Sequence, residues 1–306
     1  MNMVEPKHFI GLRGTLEFDA PLAKHTSWRA GGGADIVYTP ADRDDLAAFL
    51  RQLPIFEQVT PLGLGSNTLI RDGGVRGAVI LMHDPGGVLA VADGLVYAEA
   101  GVACPKLARF AAQHGCVEAE FLAGIPGTVG GALAMNAGCY GGEIWSYAAR
   151  VEVLQRDGTF AVRTPKDYSI SYRSVRRADG RAVGEVFTAA WFRFPMSDKG
   201  GAREKIKELL ARRLATQPLE LPNAGSVFRN PPGDHAARLI ETAGLKGYTV
   251  GGARVSEKHA NFIVNAERRA TATDIEAVIE HVRRVVADRT GVALELEVKI
   301  IGEAAR

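Results

Sequence analysis

The stretch Gly63-Leu64-Gly65-Ser66-Asn67-Thr68 closes an apolar run that starts at Val59, and its reading decides the class of fold. A strand entering a glycine-rich turn is how a dinucleotide-binding βαβ unit opens, but two features exclude that unit here. Thr68 occupies the position of the third glycine, and Asn67 to Ile70 is too short for the required helix before Arg71-Asp72-Gly73-Gly74 turns the chain again. What survives is physical: a turn of this composition aims several backbone N–H groups at one point, which suits a pyrophosphate. On this motif alone an ordinary structural turn is an equal alternative.

Working outward, 17 of the 35 glycines in the 306-residue chain lie between Gly63 and Gly142, about twice an even share. The densest part is Gly124-Ile125-Pro126-Gly127-Thr128-Val129-Gly130-Gly131-Ala132, with Asn136-Ala137-Gly138 close behind. Glycines at 124, 127 and 130 recur every third residue, leaving one side as bare backbone. That side is open either to a flat ligand or phosphate, or to another chain segment. Two glycine systems about 60 residues apart point to one extended ligand held at two places. Phe121 to Gly142 also carries no formal charge over 22 residues, but seven glycines, Pro126, Thr128 and Asn136 make a poor membrane helix.

The remaining composition excludes several classes. A net charge of +2 with 24% charged residues calls for neither nucleic acid nor an anionic membrane. Cys104, Cys116 and Cys139 are odd in number and lack disulfide or zinc spacing. Met1 to Gly14 holds no apolar run of the signal-peptide kind, so a reducing cytoplasm is expected. There is no Gly-Lys pair for a Walker loop, no Gly-x-Ser-x-Gly and no His-Glu-x-x-His.

Strands are expected at Asp35–Thr39, Val59–Leu64, Ala78–Met82 and Val96–Ala100, and as a hairpin around Asp157-Gly158. Val186–Phe194 closes an α+β half. Helices are expected after Thr39-Pro40, over Pro105–His114, Arg203–Leu214 and Asp234–Ala243, and behind a capping box Thr273-x-x-Glu276. The best boundary is the polar Ser197-Asp198-Lys199-Gly200-Gly201. A final strand, Val292–Ile301, alternates apolar residues with Glu295, Glu297 and Lys299. Three polar sites stand out: Tyr172-Arg173 in a strand-like stretch, Ser226 in the irregular Asn223–Pro231 turn, and Glu297. Surface cation, capping hydroxyl and solvated strand residue are their ordinary alternatives, and spacing does not choose Glu297 over Glu295.

Six motifs in register then carry a resemblance. Thr26-Ser27-Trp28-Arg29-Ala30-Gly31-Gly32-Gly33-Ala34, the turn at 63–67, the segment at 124–131, Tyr172-Arg173, Asn223-Ala224-Gly225-Ser226 and Leu296-Glu297-Val298 are similar to those of the UDP-N-acetylenolpyruvoylglucosamine reductases, the MurB flavoenzymes of peptidoglycan synthesis. The match spans Thr26 to Gly302. About 50 residues between Arg173 and Ser226 resemble the shorter, type II branch, which lacks a substrate-covering loop.

The resemblance implies an α+β chain with noncovalent FAD in a vanillyl-alcohol-oxidase/PCMH-like fold. Two FAD-binding subdomains would span residues 1–82 and 83–196. A UDP-sugar-binding domain at 201–306 would have a last strand that returns Glu297 to the active site. It implies NADPH as electron donor, hydride transfer from flavin N5 to C3 of the enolpyruvyl group, and protonation at C2. The implied catalytic residues are Arg173, Ser226 as general acid and Glu297. FAD contacts fall on Gly63, Gly65, Ser66, Asn67, Gly124, Ile125, Pro126, Gly127, Thr128, Gly130, Gly131, Asn136, Ala137 and Gly138. Substrate contacts fall on Tyr172, Arg229, Asn230, Lys258, His259 and Asn261. No metal, nucleic acid, membrane insertion or obligatory protein partner is implied. A flavin oxidase using O₂, and a flavin-less nucleotide-sugar binder, remain the competing classes at this point.

Overall fold

The computed structural model of the chain describes residues 9–181, 184–197 and 200–305. Six α-helices occur among the described residues: α1 (Arg43–Gln52), α2 (Cys104–Gln113), α3 (Val129–Met135), α4 (Ala202–Thr216), α5 (Ala236–Thr242) and α6 (Ala272–Thr290). Four strands pair in the order Thr15–Pro21, Gly33–Thr39, Val75–Leu81, Val59–Leu62. Five more pair as Phe160–Arg163, Ala148–Leu154, Val186–Phe192, Leu95–Glu99, Leu89–Ala92. The architecture is α+β.

Packing divides the chain into two compact units. The first comprises Met1–Glu17, Val37–Gly63 and Gly77–Leu210; the second comprises Phe18–Ile36, Leu64–Arg76 and Ala211–Arg306. The first is built on the five-stranded sheet, with α2 and α3 burying Leu107, Ala108, Val129 and Leu133 beside Val151 and Phe192. The core of the second joins Trp28, Ala30 and Leu69 to the apolar stripe of α6: Ile275, Val278, Ile279, Val282 and Val286. Each of those aliphatic side chains contributes roughly 1.5–3 kcal/mol on leaving water. These limits of compactness differ from the three ligand-binding segments expected from sequence. The turn 64–67 packs in the same unit as Ser226 and Glu297, and the division falls within α4 rather than at 197–201. Asp198 and Lys199 of that polar stretch lie outside the described residues.

Several element ends move for identifiable reasons. The N-cap of α1 is Asp42, whose carboxylate accepts the Asp45 N–H, not Thr39. α6 starts two residues earlier than expected, with a capping box made by Thr271 and Asp274. The α6 stripe alternates as expected at helical period. The final strand is shorter: only Lys299–Ile301 forms a ladder, parallel to Thr68–Ile70. Residues 292–298 keep the alternating burial but are joined to the 227–229 segment by a single bridge, Phe228 opposite Leu296. α3 was not expected at all.

Candidate active site

In the second unit, the Gly65 turn is held from one side by Ser27, whose N–H and hydroxyl both donate to the Gly65 carbonyl at 3.2 Å. Gly65 is buried at φ +58°, and a Cβ there would overlap the His25 carbonyl oxygen. Only glycine allows both the turn and that approach. Among the described residues the N–H groups of Gly65 and Ser66 and the Ser66 hydroxyl donate to no protein acceptor. Uncommitted donors converging at a partly buried turn fit a phosphate of the FAD expected there. Asn67 behaves differently: its Nδ2 donates to the Glu297 carbonyl at 3.0 Å, and its own carbonyl accepts the Lys299 N–H at 2.9 Å.

The second glycine system lies in the first unit. Gly124 ends the 3₁₀ turn Glu120–Gly124, and Ile125, Pro126 and Gly127 lead to Thr128, the N-cap of α3. The Gly127 carbonyl accepts the Cys104 N–H at 2.9 Å. The first N–H groups of α3 are already engaged. Val129 donates to the Val102 carbonyl at 2.8 Å, Gly130 to Ala100 at 2.9 Å and Gly131 to Thr128 Oγ1 at 3.2 Å. A Cβ on Gly130 would stand 2.9 Å from the Ala100 Cβ. Of the periodic glycines, Gly130 admits the Ala100 loop, and a Cβ on Gly124 would overlap the Cys139 sulfur, so close packing against other chain segments accounts for these two. Gly63 precedes the turn at 64–67 in sequence, and its missing Cβ points at the Thr128 hydroxyl. Gly131, whose nearest neighbour in that direction is Thr128 Oγ1 at 3.4 Å, is the more open glycine of the α3 start.

Asn136 ends α3 at φ +49° and is 1% exposed. Its Nδ2 donates to Glu143 Oε2 (2.8 Å) and to the Ser171 carbonyl (3.2 Å), and its Oδ1 accepts the Trp145 N–H (3.4 Å). Ala137 donates back to Ala132, and Gly138 pairs with Glu143. Arg173 completes the cluster, its guanidinium donating to the carbonyls of Gly138 (2.8 Å) and Asn136 (3.4 Å). Tyr172-Arg173 is not strand but the two-residue turn of a hairpin, Tyr168–Ser171 with Ser174–Arg177. Arg173 sits at φ +54° with its guanidinium 5.0 Å from the centroid of the exposed Tyr172 ring. Glu143 and Ser171, which aim this turn, carried no signal in the sequence.

Ser226 and Glu297 come together in the second unit. Asn223 shapes the turn before Ser226 by donating to the carbonyls of Pro218 and Leu221 (3.1 and 2.7 Å) while accepting the Gly225 N–H (2.9 Å). The Val227 carbonyl then accepts the N–H of Glu297 at 2.8 Å and of Val298 at 3.3 Å. The Ser226 hydroxyl is half-buried and makes no hydrogen bond among the described residues. Glu297 is half-buried, whereas Glu295 is exposed and 3.7 Å from Arg229, which separates the two acids that spacing left equal.

The remaining polar residues have mixed placements. Asn261, 3% exposed, is committed internally: Oδ1 accepts the Phe228 N–H (3.0 Å), Nδ2 donates to the Phe228 carbonyl (2.8 Å), and its backbone carbonyl accepts the Val227 N–H (2.9 Å). Asn230 Oδ1 accepts the Ala236 N–H at the start of α5. Lys258 is exposed and its Nζ donates to the Leu214 carbonyl at 2.7 Å. His259 packs edge-on to Phe262, with a buried Nδ1 that has no hydrogen-bond partner among the described residues. Burial, with the charge of Lys246, holds its pKa below the ordinary imidazole value.

Residues 217–301 match the family described as UDP-N-acetylenolpyruvoylglucosamine reductase, C-terminal domain, and residues 34–162 match an FAD binding domain. A UDP-N-acetylenolpyruvoylglucosamine reductase from Nitrosospira multiformis is 54% identical over 97% of this chain and 92% of its own. The chain belongs to the UDP-N-acetylenolpyruvoylglucosamine reductase family. A member from Methylococcus capsulatus is 55% identical over 95% of both chains. The crystal structure of UDP-N-acetylenolpyruvylglucosamine reductase (MurB) from Thermus caldophilus superimposes with a TM-score of 0.77 at 32% identity. It covers 94% of this chain and 98% of that one. As a family member the chain is an FAD-dependent oxidoreductase. Among the described residues no helix is long and apolar enough to cross a membrane.

Proposed function

We propose that this chain reduces UDP-N-acetylenolpyruvoylglucosamine to UDP-N-acetylmuramate for peptidoglycan synthesis, using NADPH and delivering the final proton from Ser226. FAD, when held at the Gly65-Ser66 turn, would supply the hydride chemistry between NADPH and C3 of the enolpyruvyl group. Everything else falls to the chain. Hydride at C3 leaves negative charge on C2 and the adjacent carboxylate. The Arg173 guanidinium neutralises that carboxylate, and its two-carbonyl anchorage fixes the cation before charge develops. Ser226 Oγ–H donates to C2, and the alkoxide regains a proton from water. Glu297 orients the reacting group by accepting hydrogen bonds.

One observation carries the reading. The Ser226 hydroxyl has no protein partner among the described residues, while the backbone beside it is bound on both sides, by Asn261 and by Glu297. A rigid, uncommitted donor is what a weak acid needs, since positioning supplies much of its advantage. Gly65 and Ser66 would hold the FAD phosphates through their N–H groups, and the 124–131 segment would contribute through its open face at Gly131. Asn261, whose side-chain amide is engaged at both ends, serves as a support, while the exposed Asn230 keeps its amide nitrogen for substrate. Arg229, Lys258, His259 and Tyr172 complete the substrate contacts. Residues 1–82 and 83–196 serve FAD, and 201–306 the UDP-sugar. Three cysteines that form no disulfide among the described residues fit a reducing cytoplasm, and no obligatory protein partner enters the scheme.

Ser226→Ala tests the mechanism. Flavin bleaching by NADPH stays near the wild-type rate, while reoxidation by the enolpyruvyl sugar slows by roughly 10²–10⁴-fold, the usual worth of a positioned acid. Unchanged reoxidation removes Ser226 as proton donor.

A further inference from the structure

We propose that Asn67 is a positioning residue for proton delivery, tying the glycine turn to the backbone that carries Glu297 and Ser226. The inference rests on Ser226 acting as the acid. The sequence places Asn67 among flavin contacts, yet its amide nitrogen donates to the Glu297 carbonyl at 3.0 Å, across 230 residues of chain. Its own carbonyl accepts the Lys299 N–H, and the parallel ladder Thr68–Lys299, Leu69–Ile300, Ile70–Ile301 runs on from there. Glu297 in turn donates to Val227, the residue next to Ser226. One run of hydrogen bonds therefore leads from the turn through Glu297 to Val227, the residue beside the serine.

The turn thus divides its tasks. Gly65 and Ser66 keep N–H groups uncommitted, while Asn67 reaches into the protein. Fixing the turn by a ligand then fixes the register of Glu297 and Ser226 as well. Replacing the amide by a carboxylate of the same shape sets an acceptor against the Glu297 carbonyl and drives the two apart.

The test uses the FAD-loaded enzyme with Asn67→Asp and Asn67→Gln. At saturating FAD, Asn67→Asp leaves the NADPH half-reaction within about twofold of wild type and slows reoxidation by the enolpyruvyl sugar about tenfold or more. Asn67→Gln, which keeps an amide donor, recovers part of that loss. If reduction of the FAD-saturated enzyme falls in step with reoxidation, Asn67 is a flavin contact and the proposal fails; it fails equally if neither half-reaction changes. Wild-type hydrogen exchange gives a reading that needs no variant. The amides of Glu297, Val298 and Lys299 open together with those of Leu69 and Ile70, and independent opening overturns the proposal. Wild-type flavin that the sugar cannot reoxidise would instead defeat the functional reading, leaving the exchange result to judge Asn67.

Discussion

Asn261→Ala isolates the device that holds the Ser226 segment. Phe228 and Leu296 face each other in a bridge whose hydrogen bonds are made by their neighbours, Arg229 to Glu295 and Glu297 to Val227. The N–H and carbonyl of Phe228 therefore point the other way, where the Asn261 amide pairs with both as a third strand would. Phe228 is 1% exposed, so truncation orphans a buried donor and a buried acceptor. Each costs about 1–3 kcal/mol, and a water entering the vacated space recovers part, giving roughly 3 kcal/mol in all. For a chain of this size that lowers the melting temperature of the FAD-loaded protein by roughly 5–10 °C, against under about 0.5 kcal/mol for a surface asparagine. Asn261→Asp adds a check with a definite sign. Burial raises the pKa of the new carboxyl, and only its protonated form both accepts from and donates to Phe228. Its contribution is present at low pH and lost as pH rises through the raised value, so the deficit against wild type shrinks on acidification. Thermal melts of both variants at pH 5 and pH 8 read this out. An alanine variant melting within about 1 °C of wild type would refute the reasoning.

Two further outcomes follow from the same geometry. Arg173→Lys cannot bridge the Asn136 and Gly138 carbonyls with one planar group, so reoxidation by substrate falls roughly 10–100-fold while reduction by NADPH is preserved; stopped-flow traces of both half-reactions decide it. The His259 pKa is depressed by burial, so below about pH 6.5 the unfolded chain takes up a proton that the folded chain does not, and stability declines on acidification. His259→Gln removes that share of the decline, seen as a smaller difference between urea unfolding at pH 8 and pH 5; an unchanged difference contradicts it.

The sequence revealed its elements where a periodic apolar pattern met a single packing surface. The α6 stripe from Ile275 to Val286 and the alternation from Val292 to Ile300 are both present in burial. It misplaced what depends on a distant partner. Thr271 rather than Thr273 caps α6, and Asp72 accepts the N–H groups of Ala272 and Thr273, an anchor 200 residues away in sequence. The alternating 292–298 stretch is not ladder because its neighbour, the Ser226 turn, is irregular. Glycine spacing revealed close approach at 124–131 but not its object: Gly130 is a glycine because Ala100 lies against it. Likewise the resemblance assigns Asn67, Asn136 and Asn261 to ligands, but no local pattern shows that each amide also makes a hydrogen bond within its own unit. Arg173, Ser226 and Glu297 were nameable only together, because each has an ordinary surface reading by itself.

The most direct test of the account is a visible spectrum of the purified protein, followed anaerobically through additions of NADPH and then UDP-N-acetylenolpyruvoylglucosamine. The account predicts flavin absorption that bleaches with NADPH and returns with the sugar. Flavin that bleaches but returns only with O₂ would contradict it.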